Sequence, residues 1–389
     1  MDDFLKKTYK LKDYPFDKDI PDDTIIERAW VNREIEIQKI FDLIQKSKQT
    51  KKNSIFVLIG DHGMGKTSTL KKVILESKGK EIFPIFINLR SPQRIKNPGP
   101  DLIFKIFRNT KFSDLKVTLK DIELIDCHSD VKNLFKTILF ENEFQDIAAA
   151  YIKGETKLSQ KELKKIGVIR KLEDFDILKE YLEAFLIILK TAGFSTLLVA
   201  FDEFEYLFSL VAPKDQSIYL ALFREIYDMP SFNNAINEGR SAIVVTIWGT
   251  SEDGWTRFDE LSFGKSKNRS ADPASAALLR RIKNNRILLG PFNKQLTEDL
   301  IKKRLSIARI GESPRTSPLI PYTNDFVDFI YKQTSGRLDV ILLYCEIALE
   351  AGLAKQIKEI NAEFAKQAIK EKGFSLSAPG TQNKLFEGF

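Results

Sequence analysis

The sequence predicts an α/β fold: a parallel sheet sandwiched by helices, with a helical insertion and an all-helical domain after the sheet. Three observations carry this. Five short apolar runs, residues 54–59, 83–89, 196–201, 242–248 and 286–289, read as buried strands, and continuous apolar strands suit a parallel sheet covered on both faces. Stretches of helical periodicity lie between them, among them 68–75 and 180–190, as right-handed crossovers require. A segment of the form G-x-x-x-x-G-K-T, Gly60 to Thr67, directly follows the first run.

The elements follow in order. Residues 1–30 form an N-terminal segment, and 31–292 hold the sheet domain. About a hundred residues separate the second strand from the third, mostly helical in pattern. They are read as an insertion over about 93–190. From 293 to 373 the pattern is helical throughout: 297–308, 324–334, 338–351 and 361–370, separated by Gly336, Gly352 and the prolines 314, 318 and 321. Residues 374–389 are expected to be a loose tail.

Composition bounds the partners. The 389 residues are 43% hydrophobic and 30% charged, a globular balance and not a disordered one. No apolar run reaches the roughly 18 residues of a membrane span, and the acidic start does not read as a secretory signal. Cys127 and Cys345 stand far apart without metal-ligand spacing. A reducing cytoplasmic location is expected. The net charge of +7 and pI near 9.0 suit acidic partners such as DNA, though a solvated lysine surface would give the same balance.

The chemistry concentrates in two motifs. In the first, Gly60, Asp61, His62, Gly63, Met64, Gly65, Lys66, Thr67 and Ser68 form the expected phosphate-binding stretch. Its glycines let successive N–H groups converge on phosphates at a helix N-terminus. Lys66 would reach the β- and γ-phosphates of ATP, and Thr67 would hold Mg2+. In the second, Leu197-Leu-Val-Ala-Phe-Asp202-Glu203 places two acids at the carboxyl end of a buried strand, where ligands of such sheets bind. Asp202 would organise the magnesium shell and Glu203 would polarise the attacking water.

These motifs resemble the AAA+ ATPases, and within them the origin-recognition and replication-initiator branch, over about residues 14–373. Val31-Asn-Arg-Glu34 looks like the element that precedes the P-loop near the adenine. The segment from Arg281 to Phe292 is similar to the arginine-finger segment, which implies Arg281 as a finger acting on a neighbour, with Arg280 the alternative. Thr250 stands at the sensor-1 position, where asparagine is common. Ser335-Gly-Arg337 looks like sensor 2 of the helical lid, which implies that Arg337 touches the nucleotide. Initiators place that arginine three residues after the glycine; here Asp339 stands there. Initiators also carry a winged-helix domain after the lid, which no motif here supplies, and the helical insertion is outside their usual pattern.

The resemblance implies an ATPase that works as a homo-oligomer or with a partner ATPase. Two uses of its cycle compete: a DNA-associated initiator-like, transposition-helper or defence ATPase, contacting DNA through lysines at 153–171 and 264–269; or a nucleotide switch or scaffold docking a protein through the insertion. No membrane role is expected.

Overall fold

The computed structural model describes residues 2–16, 23–90, 98–141, 143–210, 213–228, 235–264, 272–282, 284–311 and 317–376. They form two compact units, each discontinuous in sequence: Glu36–Ile59 with Val73–Leu288, and Met1–Ile35 with Gly60–Lys72 and Leu289–Phe389.

The first unit is built on a five-stranded sheet in the order β2-β3-β4-β1-β5, comprising β1 (Ser54–Ile59), β2 (Ile82–Asn88), β3 (Thr196–Asp202), β4 (Ile243–Thr250) and β5 (Arg286–Leu288). All pairings are parallel. Strands β3 and β4 are buried along their whole length, the reason their residues are mostly apolar. The five expected strands are present. β4 extends two residues beyond its apolar run, because Gly249 and Thr250 continue the ladder opposite Leu58 and Ile59. At the carboxyl edge of the sheet Asn88 is the register partner of Asp202, and Ile59 is the partner of both Thr250 and Leu288.

Helices Pro98–Arg108 and Phe175–Thr191 pack together against β2 and β3, and Pro213–Asp228 packs on Pro98–Arg108 and Pro273–Ile282. Between the first two lie the helices Leu119–Glu123, Ser129–Phe140, Gln145–Ile152 and Gln160–Lys165. Thr118 with Asp121, and Ser159 with Glu162, form reciprocal capping boxes, which fix where two of these helices begin. Phe135 stacks on Phe185 at 6.3 Å. The buried Asp130 carboxylate accepts the Ile169 and Arg170 N–H groups at 3.1 and 2.7 Å. Arg170 in turn holds Glu180 with two bonds at 3.1 and 2.8 Å. These helices are thereby tied to Phe175–Thr191 by an apolar stack and by charge-assisted bonds.

The second unit has a helical core from Lys294–Ala308, Asn324–Thr334, Leu338–Ala354 and Ala362–Glu371. The N-terminal segment belongs to it: Leu5, Tyr9, Leu11 and Phe16 are buried in the same cluster as Ile301, Phe326 and Ile341. Lys12 N–H donates to the Ala308 carbonyl at 2.7 Å. The buried Arg309 guanidinium donates to the carbonyls of Tyr9 and Pro318 at 2.9 and 3.1 Å. At the other end, Phe374 and Leu376, expected in the tail, pack against this core; residues 377–389 lie outside the described residues.

Candidate nucleotide site

In the helical unit the P-loop residues Gly63 and Gly65 take φ of +77° and +84°, a region that glycine enters without steric cost. The turn delivers Lys66 as the first residue of helix Lys66–Ser77. The helix therefore presents its N-terminal N–H groups and positive dipole end at the loop, an arrangement that suits anions. Lys66 is 9% exposed, and its ammonium donates to the carbonyls of Gly60 and Asp61 at 2.8 and 3.2 Å. Asp61 and His62 are exposed at the tip.

Beside the loop is a cleft of about 470 Å³ lined by Trp30, Val31, Met64, Ser68, Phe292 and Leu338 among others. Its walls are mostly apolar, as a nucleobase requires. Arg33 organises them. It is 5% exposed, donates to the carbonyl of Met64 at 3.3 Å and to that of Gly290, and lies 5.2 Å from the Phe292 ring centre. Asn32 and Arg33 both have left-handed φ, 63° and 79°, a turn that points Arg33 inward at a conformational cost. Sequence reasoning placed Val31 here and missed the role of Arg33.

The N-terminus of helix Leu338–Ala354 covers the same loop. A Cβ on Gly65 would meet Leu338 at 3.2 Å, and one on Gly63 would meet the Asp339 carboxylate at 2.0 Å. Asp339 N–H donates to the Gly63 carbonyl at 3.3 Å. Arg337, the expected sensor 2, donates to Asp339 Oδ2 at 3.0 Å.

In the sheet unit, Asp202 ends β3 and is 1% exposed. Glu203 follows it with φ of +58°, a left-handed non-glycine residue costing about 1–2 kcal/mol. Phe204 fixes this turn, its N–H bonded to the Gly249 carbonyl at 2.9 Å and its ring stacked 4.1 Å from Trp248. Such strain collects at functional sites. Thr250 is 2% exposed, and its hydroxyl has no hydrogen-bond partner among the described residues. The Glu205 carboxylate is likewise buried without a hydrogen-bond partner. Gly254 is where the two meet: a Cβ there would lie 2.4 Å from Thr250 Oγ1 and 2.6 Å from Glu205 Cβ. Among the described residues no cluster of three His, Cys, Asp or Glu side chains could hold a metal. Mg2+ in phosphate sites takes one or two protein oxygens and fills its shell with phosphate and water, so a hydroxyl or a carboxylate such as those of Thr67 and Asp202 is the donor type it needs.

Arg281 does not join this edge. It forms a two-pronged pair with Asp228, Nε to Oδ1 at 2.9 Å, and lies over Tyr227 at 5.6 Å. The neighbouring Ile226 carbonyl accepts from Asn53, just before β1, at 3.3 Å, so this pair sits at the amino edge of the sheet. Arg280, one residue earlier, is exposed. Lys157, Lys161, Lys164, Lys165 and Lys171 are exposed on the insertion; the expected basic loop 265–269 lies outside the described residues. His128 caps helix Ser129–Phe140, accepting Asp130 N–H at 3.2 Å. Burial pushes the Cys127 thiol up to about 11. Neither residue has the surroundings of a metal or redox site.

A family model described as BREX system ATP-binding protein BrxC/D matches residues 128–252, from the insertion through β3 and Glu203 to the end of β4. Among solved structures, Cdc6p from Pyrobaculum aerophilum is 16% identical, with 92% of this chain and 73% of that one covered and a TM-score of 0.50. The Walker-type ATPase PABY2304 of Pyrococcus abyssi is 18% identical over 92% and 76%, TM-score 0.48. The Aeropyrum pernix Orc1 protein in complex with DNA is 15% identical over 92% and 69%, TM-score 0.47. No curated protein sequence matches this one. The likeness to Cdc6p is one of fold, a parallel α/β sheet with flanking helices.

Proposed function

We propose that this chain binds and hydrolyses ATP as an AAA+ protein and couples that cycle to DNA, in a defence role of the BREX kind. The observation that carries the ATPase reading is Lys66, buried at a helix N-terminus behind two left-handed glycines. The BrxC/D match supports the defence setting, because it spans the acids of β3 and much of the insertion that initiators lack.

In this reading the base occupies the cleft beside Val31 and Arg33, and the phosphates take the N–H groups of the P-loop. Thr67 and Asp202 would hold Mg2+, which neutralises charge on the β- and γ-phosphates. Glu203 takes a proton from the attacking water, and Thr250 orients that water through its hydroxyl. Arg337 contributes from the lid. A neighbouring copy or partner ATPase completes the site with an arginine. Arg280 is better placed for this than Arg281, which Asp228 holds within its own chain.

The insertion offers exposed lysines to phosphates, and lysine suits non-specific phosphate attraction better than base reading. A second reading, a nucleotide switch that docks a protein through the insertion, is favoured by the exposed Leu124 and Ile169, 72% and 67% accessible. A DNA titration at two salt concentrations, with and without a non-hydrolysable ATP analogue, separates the two. DNA binding that weakens steeply with salt, and that Lys161→Glu, Lys164→Glu and Lys165→Glu together reduce without changing ATP affinity, supports the first. No binding to duplex or single strand in either nucleotide state supports the second.

A further inference from the structure

We propose that Asp339 is a positioning residue of the nucleotide site: it holds Arg337 and the lid helix on the P-loop, and sets how tightly a triphosphate binds. The inference rests on the reading of the P-loop as the phosphate site.

Three contacts converge on the same spot. The Asp339 carboxylate rests on Gly63 so closely that one added carbon there would lie within 2.0–2.4 Å of its three terminal atoms. The Asp339 N–H holds the Gly63 carbonyl at 3.3 Å. The same carboxylate accepts from Arg337 at 3.0 Å. A fixed negative charge therefore stands beside the loop that receives phosphates. Arg337, whose charge would favour phosphate, is turned toward that carboxylate.

The physical consequence is competition. Phosphate oxygens and the Asp339 carboxylate present the same chemistry to one guanidinium, and Arg337 cannot give its best geometry to both. Like charges also repel, more strongly for each added phosphate charge, though water screens the half-exposed Asp339 carboxylate. As the triphosphate binds, Arg337 exchanges the carboxylate for phosphate oxygens, and the bond from Asp339 to Gly63 loosens. Leu338 and Asp339 open helix Leu338–Ala354, so this exchange moves the start of the lid helix. Nucleotide occupancy is thus read by the lid through one acid, and that acid lowers ATP affinity as the cost of the coupling. Asp339 also stands in the first turn of its helix, where a negative charge is favourable. Its removal therefore affects folding and binding in opposite directions.

The test is equilibrium binding of ATP and ADP to full-length Asp339→Asn, Arg337→Ala and the double variant, with thermal unfolding of each. Asp339→Asn is expected to bind ATP about tenfold more tightly, one decade of affinity, with a smaller gain for ADP and a slightly lower Tm. Arg337→Ala is expected to weaken ATP binding, and the two effects should not add. Asp339→Ser, which keeps a small polar group at the helix start, repeats the affinity test if Asn folds poorly. Equal or weaker ATP binding by both Asp339 variants, in protein whose Lys66→Ala counterpart loses ATP, overturns the proposal and leaves the P-loop assignment standing. Retention of ATP binding by Lys66→Ala would instead remove the reading on which the proposal rests.

Discussion

Asp339 lies on Gly63, its carboxylate filling the space that any side chain at that position would need. The contact brings the start of the lid helix onto the P-loop at a residue whose φ of +77° already excludes most side chains. Gly63→Ala should therefore lose nucleotide binding at both levels: a left-handed alanine costs about 1 kcal/mol, and the clash with Asp339 forces the loop backbone out of its phosphate-binding shape. Shortening Asp339 as well should recover only part of the loss, because the backbone term remains. Nucleotide affinities of the single and double variants check this, and full recovery would place the whole effect in the clash.

Thr250→Val tests the water-orienting role. The Thr250 hydroxyl is buried without a hydrogen-bond partner among the described residues, so its replacement by a methyl group should leave Tm unchanged or slightly raised. Turnover should still fall by about 10²-fold, at the lower end of what a positioned proton-transfer partner contributes, with ATP affinity unchanged. A Tm drop with normal turnover would make Thr250 a structural residue.

Arg280→Ala and Arg281→Ala should separate. Losing the partly exposed Arg281–Asp228 pair should cost at most about 1 kcal/mol. Arg280→Ala should spare ATP binding and slow hydrolysis by ~10³-fold, as removal of an arginine finger does. Mixing it with Lys66→Ala should restore activity, since each supplies what the other lacks at one interface. Absence of rescue between variants shown to co-assemble would argue against a finger acting in trans.

Arg309→Ala should destabilise the helical unit by about 2–4 kcal/mol, since it leaves several buried carbonyls without donors. The carbonyls of Tyr9 and Pro318 are among them. Deletion of residues 2–16 should lower thermal stability further, for the buried Leu5, Tyr9, Leu11 and Phe16 are lost as well.

These cases also show what the sequence could and could not convey. The strands were legible because burial on both faces leaves only apolar residues between Thr196 and Asp202 in β3. The turn from β1 into helix Lys66–Ser77 and the end of β3 at Asp202 were legible because glycines and a strand-ending acid carry a local pattern. The docking of the N-terminal segment was not, because Tyr9 and Arg309 are 300 residues apart and neither position carries a local pattern. Arg281 resembled a finger by spacing, yet its partner Asp228, 53 residues earlier, is set by the packing of two helices. Asp339 was visible only as an acid where a base was expected. Its meaning depends on the contact with Gly63, which no spacing rule encodes.

The central claim is that this site hydrolyses ATP with Glu203 as base. Its most direct test is turnover of radiolabelled ATP by wild type and Glu203→Gln under conditions where both are saturated with nucleotide. The amide keeps the size of the side chain and removes its ability to take a proton, so the variant should bind ATP as wild type does and turn it over at least 10²-fold more slowly, a rough floor for loss of a general base. Hydrolysis at the wild-type rate would contradict the account.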